Sequence, residues 1–588
     1  MIDMSDSHEI VFQPDGKRGS FPENTTVLDA ARVLGVDINS ICGGTGACGK
    51  CIVQVISGKL PPSKAVEEKY IGAAGLNKGF RLGCLLSITD DMVVTVPKES
   101  RTGTQRLQTE GLDTSVEFDP MVKRVVDGHS TAILYDGEVI RRLESRDAPI
   151  LGFAVDIGST KLAGDLMDLS TGELIAVSTA MNPQIPYGED IISRITSAIQ
   201  SSENQERLHG TLVGGVKRLL KDACSEAGKS PKDVYEIVLV GNTVMQHFVL
   251  GTDTYPLSRN PFMPENLEHR DLEPDVINLS SNGRVHVLPL ISGFIGADCV
   301  AATLATSVHK ENELSFLMDI GTNTEIVVGK KEGLAACSCA SGPAFEGAHI
   351  KHGMRAASGA IEGVWIAPES LEPRIKVIDD SLAMGICGSG LIDLLSEMLK
   401  SGIMDSSGKI INRDHKRIRK YNGVSEYVVA WRGDTGIDSD IVITQLDVRE
   451  LQKGKAAIYS GAKTLMKKLG VIPSDFKNIY MAGAFGTYIN RESALNIGMI
   501  PEFSLSDIQQ VGNAAGTGAR MALLSRKARL EAQVIREKTE YVELATSKEY
   551  NRDYLDALLF PHMDLDLFPE TVRKLDSTNW VKGRIHSR

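Results

Sequence analysis

No apolar run in the 588 residues approaches the roughly 18 needed to cross a bilayer. The first ten, MIDMSDSHEI, are acidic rather than a basic head followed by an apolar stretch. The expectation is a cytoplasmic protein with no membrane partner. Positive charge is also short. With 76 acidic and 64 basic side chains the net charge is −12, so the chain has no general attraction to polyanions and nucleic acid is not an expected partner. Cysteine is scarce: nine residues are too few for a disulfide-stapled secreted scaffold, and none follows Cys387. Short-period repeats and low-complexity tracts are lacking as well, which sets aside solenoids.

What is there is globular. Hydrophobic residues make up 42% and charged residues 24%, enough apolar surface to offset the entropy of ordering the chain. At roughly 100–200 residues per domain the length implies several domains. Residues 1–98 read as a small unit of short strands with one helix near Thr26–Leu34, closing after the strand Met92–Val96. Residues 99–148 are polar and weakly patterned, with short apolar groups at Val122–Val126 and Ala132–Tyr135, and read as a linker with one hairpin. From 149 to 588, runs such as FAVDIGST, EIVLVGNT, FLMDIGTN and IYMAGAFG alternate with helical stretches at 191–200, 211–227 and 445–469, an α/β signature. FAVDIGST returns 163 residues later as FLMDIGTN, predicting two similar lobes, about 149–312 and 313–500, followed by a C-terminal return segment.

Four of the nine cysteines fall within the first 84 residues. Cys42, Cys48 and Cys51 crowd one loop, ICGGTGACGKCIV, and Cys84 follows in RLGCLL after 32 intervening residues. Four thiolates can hold iron–sulfur or zinc; a structural zinc site usually comes as two CxxC knuckles, and this is a single Gly-rich loop plus a distant cysteine. Gly43, Gly44, Gly46 and Gly49 leave room for backbone N–H groups to approach the sulfurs. The segment resembles [2Fe–2S] ferredoxins of the β-grasp fold, with a loop one residue longer than the plant-type C-x4-C-x2-C spacing, as in the adrenodoxin-like branch. The resemblance implies Cys42, Cys48, Cys51 and Cys84 as ligands and one-electron carriage as the task.

Asp156-Ile157-Gly158-Ser159-Thr160-Lys161 and Asp319-Ile320-Gly321-Thr322-Asn323-Thr324 each follow an apolar strand. In each, a carboxylate reaches a tight turn whose N–H and hydroxyl groups can face phosphate oxygens, with Mg²⁺ held through water. One such turn says little. Two, joined by an α/β segment, fit a nucleotide gripped from both sides. The pair resembles the actin, Hsp70 and sugar-kinase superfamily, which implies a two-lobed, ribonuclease H-like ATPase with Asp156 and Asp319 organising metal or water. Lys161 can neutralise phosphate or simply lie in an exposed turn. Gly483-Ala484-Phe485-Gly486 after the strand Asn478–Tyr480 resembles the family's adenosine motif, and the helix carrying Arg449 occupies the place of adenine contacts or is a solvated charged face. Gly388-Ser389-Gly390 opens another helix whose N-terminus can meet polar groups of the nucleotide. Glu346, in CSCASGPAFEGA, is a candidate for orienting the attacking water; Cys224, Cys299, Cys337 and Cys339 read as packed, and His247 as a capping or packing residue.

An electron carrier and an ATPase in one chain imply that nucleotide chemistry drives an uphill one-electron transfer. A conformational bias of about 5.5 kcal/mol corresponds to about 240 mV for one electron. The order DIGST, GNTVM, DIGTNTE, SGPAFEGA, GICGSGL, MAGAFG after such a ferredoxin unit resembles the reductive activators of corrinoid proteins. That resemblance implies a [2Fe–2S] cluster, ATP and Mg²⁺ as cofactors, a corrinoid protein whose Co(II) is returned to Co(I), and reduced flavodoxin or ferredoxin as donor. The short 99–148 stretch leaves little room for the separate middle domain of longer relatives, or for a homodimer built from it. A small-molecule kinase with a redox-sensing cluster and a nucleotide-binding regulator are the competing readings.

Overall fold

The computed structural model describes residues 7–14, 16–36, 38–40, 44–46, 48–97, 100, 112, 116–127, 130–145, 148–188, 190–277, 283–411 and 414–582. Cys42 and Gly43 lie outside the described residues. In the N-terminal domain the elements run β1 (Ser7–Gln13), β2 (Lys17–Pro22), α1 (Val27–Leu34), β3 (Ile52–Ser57), α2 (Ala65–Asn77), β4 (Phe80–Leu82) and β5 (Met92–Thr95). The sheet order is β2-β1-β5-β3-β4, with β1 and β5 parallel and the other pairs antiparallel. This is the β-grasp layout. Helix α1 starts where Thr26 accepts the Asp29 N–H and stops at Gly35, whose φ of 66° is left-handed. Its Val27, Ala30 and Ala31 bury against Ile10, Phe12, Val53 and Val94.

Residues 122–143, where one hairpin is expected, form a three-stranded meander: β6 (Val122–Asp127), β7 (Ser130–Tyr135) and β8 (Glu138–Leu143). The third strand lacks an apolar rhythm because most of EVIRRL is exposed, and Asp136-Gly137, both at positive φ, supplies its turn.

The first lobe has β9 (Leu151–Ile157), β10 (Lys161–Asp168), β11 (Leu174–Met181), α3 (Ile191–Ala198), α4 (Ser202–Glu226), β12 (Val234–Gly241), α5 (Thr243–Leu250), β13 (Arg270–Leu272), β14 (Arg284–Val287) and α6 (Ala297–Thr306), in sheet order β11-β10-β9-β12-β14-β13. All eight residues of β12 are buried, which accounts for its continuous apolar run. The second lobe begins with β15 (Ser315–Ile320), β16 (Thr324–Lys330) and β17 (Gly333–Cys339). Two small sheets follow, built from β18 (Ala360–Ile366), β19 (Pro373–Val377) and β20 (Gly385–Ile386), then β21 (Ile418–Tyr421), β22 (Val424–Ala430) and β23 (Ile441–Thr444), with α7 (Gly388–Lys400) between them. After α8 (Gln445–Leu469) come β24 (Asn478–Ala482), α9 (Gly483–Gly486), α10 (Arg491–Asn496) and β25 (Ile508–Gly512).

The two large sheets repeat one plan. In each, three consecutive antiparallel strands lie beside a parallel partner: β9 pairs with β10 and β12 as β15 pairs with β16 and β24. The recurring DIG turns therefore occupy equivalent strand ends and face each other across a cleft.

The C-terminal return segment ties the lobes together. Helix α11 (Ala514–Leu524) packs on α6 and β9 of the first lobe, so closely that a Cβ on Gly518 would meet the Ala301 carbonyl. Helix α12 (Arg526–Lys538) leads to β26 (Thr539–Tyr541), which adds parallel to β17 of the second lobe and completes the order β25-β24-β15-β16-β17-β26. Arg529 of α12 makes a buried ion pair with Glu236 of β12. Two more helices, α13 (Lys548–Asp556) and α14 (Pro569–Asp576), finish the described chain. No helix among the described residues is long and apolar enough to cross a membrane.

The N-terminal domain touches both lobes. Arg32 donates to the Pro186 carbonyl of the first lobe at 2.6 Å, and Lys50 donates to the Ile350 and Lys351 carbonyls of the second at 2.8 and 3.3 Å.

Candidate functional site

In the cysteine loop, Gly44, Gly46 and Gly49 all hold positive φ, at 104°, 79° and 69°. A Cβ would be strained at each, and at Gly49 it would lie 2.4 Å from the Tyr70 ring. The loop thus turns tightly over α2 while Cys51 and Cys84, both buried, bring their sulfurs to 3.3 Å; Cys48 is partly exposed at the same loop. Three of the four expected thiols and the glycine cradle fit a cluster bound close to the surface; Cys42 is the fourth, outside the described residues.

Between the lobes lies a cleft of about 260 Å³. Its lining includes Asp156, Gly158, Ser159, Thr160 and Lys161 from the first lobe, and Asp319, Gly321, Thr322, Asn323, Glu346, Gly388, Ser389 and Gly483 from the second. The two loops are held by side chains from neighbouring elements. Asn182 donates to the Gly158 carbonyl at 2.8 Å, and Asn242, the N-cap of α5, donates to Ser159 Oγ at 2.9 Å. Arg194 binds the Ser159 carbonyl, and Ser341 donates to the carbonyls of Gly321 and Thr322. Glu346 joins the loops: its carboxylate accepts from Thr322 Oγ1 at 2.6 Å and from Thr160 Oγ1 at 3.3 Å.

Deep in the cleft sit four carboxyl groups, Asp156, Asp298, Asp319 and Glu325. Burial, then the charges of Asp298 and Asp319, pushes Asp156 up to about 8, against a hydrogen bond from Asn513 that favours its charged form. Burial and Asp298 raise Asp319 to about 7, burial raises Asp298 to about 6, and burial with both aspartates holds Glu325 well above the carboxylate range. Such a group calls for a cation. Among the described residues no three acidic, histidine or cysteine side chains converge as a complete metal cage. Mg²⁺ keeps several waters and takes the rest of its shell from phosphate. Lys161 is partly buried in the cleft, and desolvation there lowers its pKa, opposed by the nearby Glu346 charge.

Several expected residues stand elsewhere. Thr324 is buried in β16 with its hydroxyl on Ser341 at 2.9 Å, because strand alternation turns it away from the cleft. Arg449 is held on the outside of α8 by the Ser407 carbonyl and Gln452, so it does not line the cleft. Gly390 is packed against the Ile361 carbonyl inside α7, and Gly486 lies against Met481; the side chains of Ala484 and Phe485 are not described. His247 is buried with Nδ1 on the Thr243 carbonyl, and Cys224, Cys299, Cys337 and Cys339 are all core residues.

Sequence reasoning missed Glu325, Asn513 and Arg355, all in the cleft lining. For Glu325 a signal existed. The turn at Gly321–Asn323 pairs Asp319 directly with Glu325 across the β15–β16 ladder, so DIGTNTE places two carboxylates side by side.

Taken together, the fold and site define an iron–sulfur electron carrier joined to a two-lobed nucleotide-binding ATPase. Known families divide the chain the same way: "2Fe-2S iron-sulfur cluster binding domain" matches residues 12–89, "RACo middle region" 151–311, and "C-terminal domain of RACo the ASKHA domain" 313–572. A solved structure titled "Reductive activator for corrinoid,iron-sulfur protein" is 31% identical, with TM-score 0.71, covering 96% of this chain and 100% of that one. The "Corrinoid activation enzyme RamQ" of Eubacterium limosum is 29% identical over 92% of this chain and 96% of its own length. The "[Co(II) methylated amine-specific corrinoid protein] reductase" of Methanosarcina barkeri is 27% identical over 70% and 77%. The chain belongs to the family of reductive activators of corrinoid proteins, and its cofactors are a [2Fe–2S] cluster, ATP and Mg²⁺. One expectation is corrected: the middle region is present. It is the first lobe itself, matched at 151–311, so its absence from 99–148 says nothing about dimerisation.

Proposed function

We propose that the protein reductively activates a corrinoid protein, returning an inactive Co(II) centre to Co(I) with one electron at the expense of ATP. Reduced flavodoxin or ferredoxin is the electron source in this reading. The observation that carries it is that the domain bearing the cysteine loop hydrogen-bonds to both lobes around the cleft, through Arg32 to the Pro186 carbonyl and Lys50 to the Ile350 carbonyl.

Cys48, Cys51 and Cys84, with Cys42, hold the cluster, which supplies one-electron carriage when bound. The backbone N–H groups freed by Gly44, Gly46 and Gly49 stabilise thiolate charge. In the cleft, the turns at Gly158–Lys161 and Gly321–Asn323 hold phosphate oxygens from opposite sides, and Lys161 offsets their charge. Asp156 and Asp319 would hold Mg²⁺ through water, which would supply charge neutralisation for the phosphates; they must lose their protons to do so, and a bound cation would make that favourable. Glu346, whose carboxylate reaches both loops, orients the attacking water and accepts its proton.

The test is anaerobic. Purified protein with ATP, Mg²⁺ and a low-potential donor converts a Co(II) corrinoid protein to Co(I), followed by absorbance. Equal conversion without ATP would overturn the proposal.

A further inference from the structure

We propose that Lys50 is a positioning residue through which the nucleotide cleft controls the seat of the iron–sulfur loop; the inference rests on the function proposed above. Lys50 stands between two cluster ligands, Cys48 and Cys51, and its ammonium is bound to the carbonyls of Ile350 at 2.8 Å and Lys351 at 3.3 Å. Those acceptors belong to a short loop that starts at Glu346, the carboxylate joining the two phosphate turns, and ends at Met354 and Arg355, which line the cleft.

The loop is stiff. A Cβ at Gly347, whose φ is 84°, would meet Met354 N at 2.5 Å, and one at Gly353 would meet the Gly347 carbonyl at 2.2 Å, so the two ends of the loop are in backbone contact. Ile350 is buried, and its carbonyl also accepts from Gly353 N at 3.1 Å, while the Lys351 N–H is fixed on Asp447 at 2.8 Å. Stiff packing passes on a displacement instead of absorbing it.

The direction follows from competition for hydroxyls. Thr160 and Thr322 donate to Glu346 in the structure, and phosphate oxygens entering between the two turns take those donors. Glu346 then loses its link, the loop shifts, and the two carbonyls leave the Lys50 ammonium. Filling the cleft releases the cluster loop from the second lobe.

The experiment uses the full chain with its cluster, kept anaerobic, and follows amide hydrogen exchange in Cys48–Val53 with and without magnesium adenylyl imidodiphosphate. Calorimetry confirms that the analogue binds, and visible circular dichroism confirms the cluster. Losing the ammonium's two carbonyl partners, the stronger of them a charge-assisted hydrogen bond at 2.8 Å, is expected to raise exchange there at least about tenfold. In Lys50→Met, exchange is already fast without nucleotide and the analogue adds nothing; Lys50→Arg restores the response. The midpoint potential of the cluster gives a second readout: the analogue shifts it in the wild type and in Lys50→Arg, and not in Lys50→Met. If the analogue binds wild type and neither exchange nor potential changes, or if Lys50→Met responds as wild type does, the inference is wrong and the proposed function stands. If the analogue does not bind at all, the proposed function fails and takes the inference with it.

Discussion

Replacing Asp156 by asparagine should make the nucleotide-free protein more stable while ending its response to magnesium nucleotide. Asp156 lines the cleft partly buried, and desolvation with the charges of Asp298 and Asp319 carries it from 3.8 to about 8. Its folded pKa thus lies above its unfolded value. The folded protein retains a proton that the unfolded chain gives up, so stability is whole below about pH 4 and is lost as pH rises toward 8. At pH 7, with 1.36 kcal/mol for each pH unit above 3.8, the loss is on the order of 4 kcal/mol. Asparagine removes that term and keeps an oxygen for the hydrogen bond from Asn513. After relaxation a gain of about 2–4 kcal/mol is expected, or about 4–8 °C in the melting of the ATPase lobes at about 2 °C per kcal/mol. Scanning calorimetry from pH 5.5 to 8.5, with and without Mg·ATP analogue, reads all of this. The wild type should melt lower as pH rises and gain from the ligand; the variant should show a flatter pH profile and little gain. A variant less stable than wild type, or with an undiminished pH slope, would refute the reasoning.

Other substitutions test the two modules and the joint between the lobes. Cys48→Ser should bleach the visible cluster spectrum and leave nucleotide binding intact, whereas Asp319→Ala should keep the spectrum and eliminate ATP hydrolysis; one change abolishing both would refute their separation. Gly49→Ala places a methyl group 2.4 Å from the Tyr70 ring at a φ of 69°, so iron content should fall and the N-terminal domain should lose about 1–3 kcal/mol, measured by iron assay and urea unfolding. Arg529→Met strands the fully buried Glu236 and should cost about 3–5 kcal/mol in urea unfolding, with cluster content unchanged.

The two-lobed plan was legible because its strands are apolar runs ending in the same Asp-Ile-Gly turn, a local pattern whose repetition carries topological meaning. The cysteine loop was legible because ligand spacing and glycine content are both one-dimensional. What escaped depended on contacts distant in sequence. Glu236 and Arg529 are 293 residues apart, and nothing in α12 marks one of its arginines as interior. Arg449 looked like an adenine contact from its place in the chain order, and the rotation of α8 puts it on Ser407 instead. Thr324 read as the end of a phosphate turn; β16 begins there, and the pleat buries it. Glu346 was picked out by its Gly-rich setting, but only the fold reveals that it reaches both turns.

The order of assembly follows from where the last sheet strand comes from. The first domain is closed by β5, ending at Thr95, whereas the first lobe waits for α11 and α12 to cover it and the second for β26, ending at Tyr541, to complete its sheet. On a ribosome adding about 5–20 residues per second, the roughly 450 residues between those points take about 20–90 s. Throughout that interval the cysteine loop stands free of the lobes that later cover its Lys50 side, open to whatever delivers iron and sulfide to a nascent chain.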